Sequence, residues 1–138
     1  MSLEDAVDTE TVLRRLPDEP AGYSVYARGC PARLVFDRLA DKWSLLIVKL
    51  LRTGAYRFNQ LRREIDGISQ KALSQTLQRL ERDGLVNRNA FATVPVTVEY
   101  SLTELGHTLA TLIDPLAVWA EAHIEEVLRA QESYDARR

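Results

Sequence analysis

Two groups of side chains in this sequence have the types and spacing needed for chemistry, and the first is a single thiol. Cys30 is the only cysteine among 138 residues, and it precedes Pro31 with Arg28 and Arg33 close by. If Cys30 caps a helix, the positive helix end and the two arginines favour a thiolate that reacts with electrophiles or oxidants. The alternative is a small buried residue that packs in the core and reacts with nothing.

The second group lies in "SQKALSQTLQRLERD", residues 69–83. At helical spacing Leu73, Leu77 and Leu80 form one apolar stripe, and the face opposite carries amides and cations without an acidic side chain. Amides and cations read base edges in the major groove of DNA, and cations and a helix N-terminus bind phosphates. We predict that Gln70, Lys71, Ser74, Gln75 and Gln78 lie nearest the bases, and that Ser69, Arg57, Arg79, Arg82 and Arg88 lie nearest the phosphates.

Residues suited to metal binding or catalysis are sparse. His107 and His123 have no cysteine or acidic neighbour at ligand spacing, so we expect no metal site and no cofactor. The sequence also lacks a phosphate-binding loop, a glycine-rich dinucleotide turn and a nucleophile elbow. We therefore predict that the protein is not an enzyme.

Length and composition indicate one ordinary domain. The chain has 138 residues, of which 46% are hydrophobic, and one cysteine excludes an internal disulfide framework. The N-terminal "MSLEDAVDTE" is acidic, and no run of eighteen apolar residues occurs. These features predict a cytoplasmic protein without a signal peptide or a membrane partner.

Charge is distributed unevenly along the chain. Residues 28–88 hold 13 Lys and Arg against six Asp and Glu, whereas residues 1–27 and 89–138 are both acidic, which leaves a net charge of −2. A basic centre between acidic ends suits binding to a polyanion such as DNA. A solvated helical surface is the alternative explanation.

Helices must position both groups of side chains. We expect a short helix over 9–16, one over 31–39 with Cys30 at its N-cap, and a core helix that Asp41 caps and that ends at Thr53 and Gly54. For residues 57–86 we predict two helices joined by a turn, because Gly67 interrupts the first helix and Ser69 can cap the second.

Two β-type segments follow, over 85–91 and 96–102, with a tight link at Pro95. A hairpin in this position is typical of a wing. We predict that its outward side chains, Arg88 with Thr93 or Thr97, lie along the DNA backbone or minor groove. The alternative is a hairpin that only closes the core.

A long helix begins after Thr103, and Pro115 is expected to kink or split it. Its apolar side chains recur at threes and fours beyond the needs of a small core, which predicts a second copy of the chain as partner. The dimer contacts would come from Leu109, Leu112, Leu116 and Trp119. The alternative is that this stripe packs on the N-terminal helix of the same chain.

Five segments together resemble the HxlR-type transcriptional regulators, a winged helix-turn-helix group related to the MarR regulators. They are "CP" at 30–31, "DKWSLLIVKLL" at 41–51, "RFNQLRREIDGISQKALSQTLQRLERDGLV" at 57–86, "VEYSLTELG" at 98–106 and "LAVWAEAH" at 116–123. The fold class is then mainly α with a small β-hairpin wing. The division is an N-terminal arm at 1–27, which could aid dimerisation, a DNA-binding core at 28–103, and a dimerisation helix and tail at 104–138.

The resemblance implies a homodimeric repressor that binds an inverted repeat in double-stranded DNA through the helix after Ser69. Some members respond to oxidants or reactive electrophiles through the cysteine in the position of Cys30. The chain departs from the family at Ala40 and Asp41, where members often carry two glycines, and near Thr97, where they tend to carry an arginine. Three alternatives stay open: a regulator with a non-covalent effector, a regulator without any effector, or a winged-helix module that binds protein.

Overall fold

The computed structural model describes residues 22–137, which form five helices and a three-stranded sheet. In chain order the elements are α1 (Pro31–Leu39), α2 (Lys42–Leu51), β1 (Tyr56–Arg57), α3 (Phe58–Glu64), α4 (Gln70–Arg82), β2 (Val86–Phe91), β3 (Thr97–Leu102) and α5 (Glu104–Asp135). The mainly helical fold with a β-hairpin is as predicted. The short helix expected over 9–16 lies outside the described residues.

The first two helices begin at the predicted caps. Cys30 is the N-cap of α1, with Pro31 in the first turn, where its missing N–H costs nothing. α1 buries none of its residues. Asp41 caps α2 by accepting a hydrogen bond from the backbone N–H of Trp43 at 3.0 Å. In contrast to α1, α2 lies in the centre of the core, where Ile47 is fully buried.

α3 and α4 form the predicted helix, turn, helix. α3 ends before Ile65, and Gly67 in the turn has a φ of 85°, a conformation that glycine adopts without steric cost. The hydroxyl of Ser69 then accepts a hydrogen bond from the backbone N–H of Ala72 at 3.0 Å. This bond starts α4 at the predicted position and fixes which face of α4 turns toward the core.

The hairpin of β2 and β3 is antiparallel and runs from the pair Val86 and Leu102 to the pair Phe91 and Thr97. Each strand begins one residue later than predicted, and residues 92–96 connect them. β1 pairs with the other edge of β3, which gives the strand order β1-β3-β2. This two-residue strand was not predicted, because it is too short to show a sequence pattern and exists through its pairing with β3.

α5 begins where Thr103 caps it, by accepting a hydrogen bond from the N–H of Gly106 at 3.0 Å. It continues for 32 residues with Pro115 inside, so Pro115 does not split the helix, and of the predicted kink or split only the kink stays a prediction. Contacts on the N-terminal side hold the helix in place there. Ile113 is buried in the core, and the carboxylate of Asp114 forms ion pairs with Lys49 of α2 and with Arg52, the C-cap of α2.

The core lies between α2, α3, α4, the hairpin and the first three turns of α5. Its buried apolar residues are Ile47, Val48, Leu51, Leu61, Ile65, Ile68, Leu73, Leu77, Leu80, Val86, Leu102, Ala110 and Ile113. Gly106 lets α5 approach the hairpin, since a Cβ atom there would lie 2.1 Å from the carbonyl oxygen of Leu85. The core therefore fixes α4 and the N-terminal half of α5 on one rigid body.

Candidate nucleic-acid interface

α4 presents the polar face that the sequence predicts. Leu73, Leu77 and Leu80 are at most 2% exposed and attach the helix to the core. The opposite side chains are exposed; we call them the polar face, and they are Lys71, Gln75, Gln78 and Arg82. Ser74 flanks this face and is half-buried. The face carries no acidic side chain, so it can approach a phosphate backbone without repulsion.

The N-terminus of α4 extends the polar face. Gln70 is exposed in the first turn. The hydroxyl of Ser69 accepts from Ala72, and its carbonyl accepts from the N–H of Leu73. The N–H groups of Gln70 and Lys71 precede these bonds at the open end of the helix, where an anion is stabilised. The first turn of α4 can therefore hold a phosphate beside side chains that reach bases.

Arg79 is separated from the polar face by an ion pair. One of its terminal nitrogens donates to the carboxylate of Asp41 at 2.7 Å, and the same nitrogen lies 3.3 Å from the hydroxyl of Thr76. The sequence places Arg79 nearest the phosphates. In the structure its guanidinium is engaged within the chain, which distinguishes it from Arg82.

Arg57 and Arg88 lie at the sheet. Arg57 is exposed where β1 meets α3, and a shallow groove joins it to Arg63 and to Val96 and Thr97 of the hairpin. Arg88 is exposed in the middle of β2. The connection over 92–96 carries no charged side chain, and Thr93 bonds to the hydroxyl of Thr97 at 2.9 Å. The cations of the hairpin region therefore lie on the strands and not in the connection at its tip.

α3 adds two cations that the sequence analysis missed. Arg62 and Arg63 are exposed, and together with Asn59 and Ile68 they line a shallow groove at the turn before α4. The first helix of a helix-turn-helix pair commonly crosses the DNA backbone. A helical wheel of α3 would have found Arg63, because it projects away from the core residue Leu61.

Cys30 lies at the N-terminus of α1 as predicted, and it is half-buried. Its side chain makes no capping hydrogen bond. Arg33 reaches the carbonyl oxygen of Tyr26 at 3.5 Å, which places that guanidinium over the segment leading to Cys30. The thiol is thus a free cysteine at a helix end, with cationic neighbours in the chain.

The residues predicted for dimerisation divide into two groups. Leu112, Leu116 and Trp119 are 39%, 54% and 55% exposed. Leu109 is partly buried and packs against the chain's own core. Leu105, one turn before Leu109, is 57% exposed, so exposed apolar side chains of α5 occur both before and after Leu109.

Two further features of residues 22–137 bear on function. Within this range, no group of three His, Cys, Asp or Glu side chains could hold a metal ion. His123 instead stacks on Trp119, with ring centroids 4.9 Å apart. None of the helices in the same range has the length and apolar character needed to cross a membrane.

Two helices joined by a glycine turn, the second with an exposed polar face and followed by an antiparallel hairpin, define a winged helix-turn-helix domain. The chain belongs to the HxlR-like helix-turn-helix family, whose sequence profile matches residues 38–128.

Proteins of known sequence or structure support this membership. An uncharacterised HTH-type transcriptional regulator of Escherichia coli, YtfH, is 44% identical over 109 residues, which are 79% of this chain and 86% of YtfH. The structure of a putative transcriptional regulator from Salmonella typhimurium, ytfH, superposes with a TM-score of 0.74 at 42% identity and covers 80% of this chain and 98% of that one.

A third comparison concerns redox chemistry. The transcriptional regulator YodB of B. subtilis, solved in its reduced form, is 35% identical with a TM-score of 0.60, over 67% of this chain and 91% of that one. YodB has also been solved after treatment with diamide. Because it belongs to this family and shares this similarity with known regulators, the protein is a transcriptional regulator of the helix-turn-helix type.

Proposed function

We propose that the protein is a homodimeric repressor that binds an inverted repeat in double-stranded DNA, with α4 of each copy in the major groove. The observation that carries this proposal is the polar face of α4. Four exposed amide and cationic side chains lie opposite three leucines that the core buries. A helix held rigidly on its apolar side and free of acidic groups on the other suits direct readout of bases.

The side chains divide by reach and chemistry. Base contacts are assigned to Gln70, Lys71, Ser74, Gln75 and Gln78. Phosphate contacts are assigned to the N-terminus at Ser69 and to Arg57, Arg82 and Arg88, and we add Arg62 and Arg63 because both are exposed on α3. Arg79 leaves this set, because its guanidinium is bonded to Asp41.

A second copy would cover the apolar surface of α5. Leu112, Leu116 and Trp119 recur at helical spacing and lie exposed on a helix of 32 residues. In a symmetric pair these side chains would meet their equivalents, and the two α4 helices would face half-sites separated by one or more turns of DNA.

Release from DNA is assigned to Cys30. Its thiolate can form a C–S bond with an electrophile, or an oxidant can remove two electrons and two protons from two thiols to form a disulfide. The second thiol would come from the other copy or from a small thiol, since the chain has one cysteine. Either product enlarges the N-terminus of α1 and would move α1 relative to the dimer.

Selection of sites from a random pool of duplex DNA tests the proposal. The expected result is an enriched inverted repeat, protected in two half-sites, with binding that weakens steeply as salt concentration rises. A single copy bound per site, or no enriched sequence at low salt, would contradict it. A pool of single-stranded DNA of the same length is the control for binding by charge alone.

A further inference from the structure

Two ion pairs connect the C-terminal half of α4 to the junction of α1 and α2. Arg79 of α4 pairs with Asp41 at 2.7 Å. Arg38 in the last turn of α1 pairs with Asp83, the C-cap of α4, at 2.8 Å. Each side supplies one cation and one carboxylate. We call these four side chains the brace.

The ion pairs of the brace are partly shielded from solvent. The side chains of Arg38 and Asp83 are 22% and 24% exposed, and those of Arg79 and Asp41 are 41% and 27% exposed. Ion pairs that lose part of their water interact more strongly than fully solvated pairs. α1, by contrast, buries no residue and leaves Val35 and Phe36 more than half exposed. In the brace, Arg38–Asp83 joins α1 to the C-cap of α4, and Arg79–Asp41 joins α4 to the N-cap of α2.

Asp41 performs two tasks with its two carboxylate oxygens. Oδ1 accepts from the backbone N–H of Trp43 and caps α2, while Oδ2 accepts from Arg79. The cap and the ion pair therefore use different oxygens of one carboxylate, so a side chain at this position that keeps only one oxygen can separate the two tasks.

We infer that Asp41 and Asp83 are positioning residues for DNA readout: they fix the C-terminal half of α4 against the junction of α1 and α2, and Asp41 withdraws Arg79 from the phosphates. The inference rests on the proposed function, in which α4 reads the operator. Neither carboxylate touches DNA. Each acts through an arginine, so the brace raises the preference for the operator over other DNA, and its pair at Asp41 also lowers general affinity by keeping Arg79 from the phosphates.

Arg79→Gln and Asp41→Asn separate positioning from phosphate contact. Affinity is measured for the selected operator and for random duplex DNA over a salt series. We expect Arg79→Gln to lower operator affinity about threefold to tenfold, with random binding and the salt slope unchanged. Asp41→Asn retains an oxygen for the cap but frees Arg79, so random binding tightens and the salt slope steepens by about 0.9 per copy.

The opposite pattern would overturn the inference. If Arg79→Gln weakens operator and random DNA alike and flattens the salt slope by about 0.9 per copy, Arg79 is a phosphate contact. Arg129→Gln, at an exposed arginine of α5, is the matched control and should change neither quantity. Thermal unfolding of each variant shows whether the fold is retained.

A charge exchange at the second pair gives an independent test. Arg38→Glu alone should lower the ratio of operator to random affinity, and Arg38→Glu combined with Asp83→Arg should restore it to within about twofold. Absence of rescue in a folded double variant overturns the brace. If wild-type protein itself shows no operator preference, the proposed function fails and the brace with it. If the wild type is selective and every brace variant keeps its ratio, the brace alone fails.

Discussion

α4 and the C-terminal half of α5, residues 115–135, each have an apolar and a polar side. α4 exposes its polar side, whereas this part of α5 exposes its apolar side. In α4 the apolar leucines are buried and the polar face is exposed. In α5 the exposed side chains include Leu116, Trp119 and Leu128, each about half exposed. Burial of apolar surface drives packing. The apolar side of α4 is already packed against the core of its own chain, whereas the apolar side chains at the end of α5 remain exposed.

The difference assigns different partners to the two helices. A polar, acid-free face that is rigidly supported suits DNA, and an apolar stripe on an extended helix suits another protein surface. α5 itself joins the two roles. Its first three turns belong to the core of the DNA-binding domain, while the rest of its length, about 30 Å at 1.5 Å per residue, extends beyond it.

Gly106→Ala should have the largest effect, because it breaks the packed end of α5. The added Cβ atom would lie 2.1 Å from the carbonyl oxygen of Leu85, so the backbone of α5 or of the hairpin must move. We expect a loss of about 3 kcal/mol in the free energy of unfolding. Urea titration measures it, and Gly29→Ala, where no atom lies within 4 Å of the new Cβ, is the control. Equal stability of the two variants would contradict the packing at Gly106.

Trp119→Asp tests whether the exposed apolar side chains of α5 form a dimer contact. A carboxylate in the centre of an apolar interface would be desolvated without a partner, so we expect about 100-fold weaker dimerisation and an unchanged unfolding midpoint for the monomer. Sedimentation over a concentration series gives the mass. Val118→Asp, also exposed but on a different side of α5, should stay dimeric. If the wild-type protein sediments as a monomer, a second copy of the chain does not cover the apolar stripe of α5.

Gln75→Ala and Arg82→Ala should separate the two kinds of contact on α4. We expect loss of Gln75 to reduce discrimination at one base pair about tenfold, because an amide can pair with a base edge. Loss of Arg82 should weaken all sequences similarly and flatten the salt slope by about 0.9 per copy. The quantities to compare are affinities for the operator and for its single-base variants.

The matched controls for this pair are Gln131→Ala and Arg129→Ala, at exposed positions of α5. They remove the same chemical groups from a helix that is not assigned to DNA. If Gln75→Ala and Gln131→Ala behave alike, the polar face of α4 does not read bases.

Cys30→Ser should have the smallest effect on the resting protein. Serine keeps the size of the side chain at the N-cap of α1, so operator affinity should change by less than about twofold. After diamide treatment, wild-type protein should leave the operator and the variant should stay bound. Release of both proteins by diamide would show that another group responds. A mobility-shift titration with and without diamide measures the difference.

The comparison also shows which features the sequence determines locally. α4 was predicted with its cap and both faces, because Ser69 and the three leucines lie within one short segment. The ion pair of Arg79 could not be predicted in this way, since Asp41 is 38 residues away and is brought there by packing. The same holds for the continuity of α5 at Pro115, where Asp114 is held by residues at the C-terminal end of α2.

β1, which has two residues, is another element that local sequence does not predict. Tyr56 and Arg57 have no strand pattern of their own, and they become a strand because β3 offers a free edge. The exposed apolar side chains of α5 were predicted from periodicity, but spacing alone does not show that Leu109 is partly buried against the chain's own core.

The charges at the end of α5 affect how the protein meets DNA before any contact forms. Residues 121–137 carry Glu121, Glu125, Glu126, Glu132 and Asp135 against Arg129 and Arg137, while α3 and α4 lie in the basic centre. Charges of opposite sign are therefore separated along the chain, with the positive charge in the segment that carries the polar face. Because a polyanion attracts basic segments and repels acidic ones, this separation favours encounters in which α3 and α4 meet DNA first.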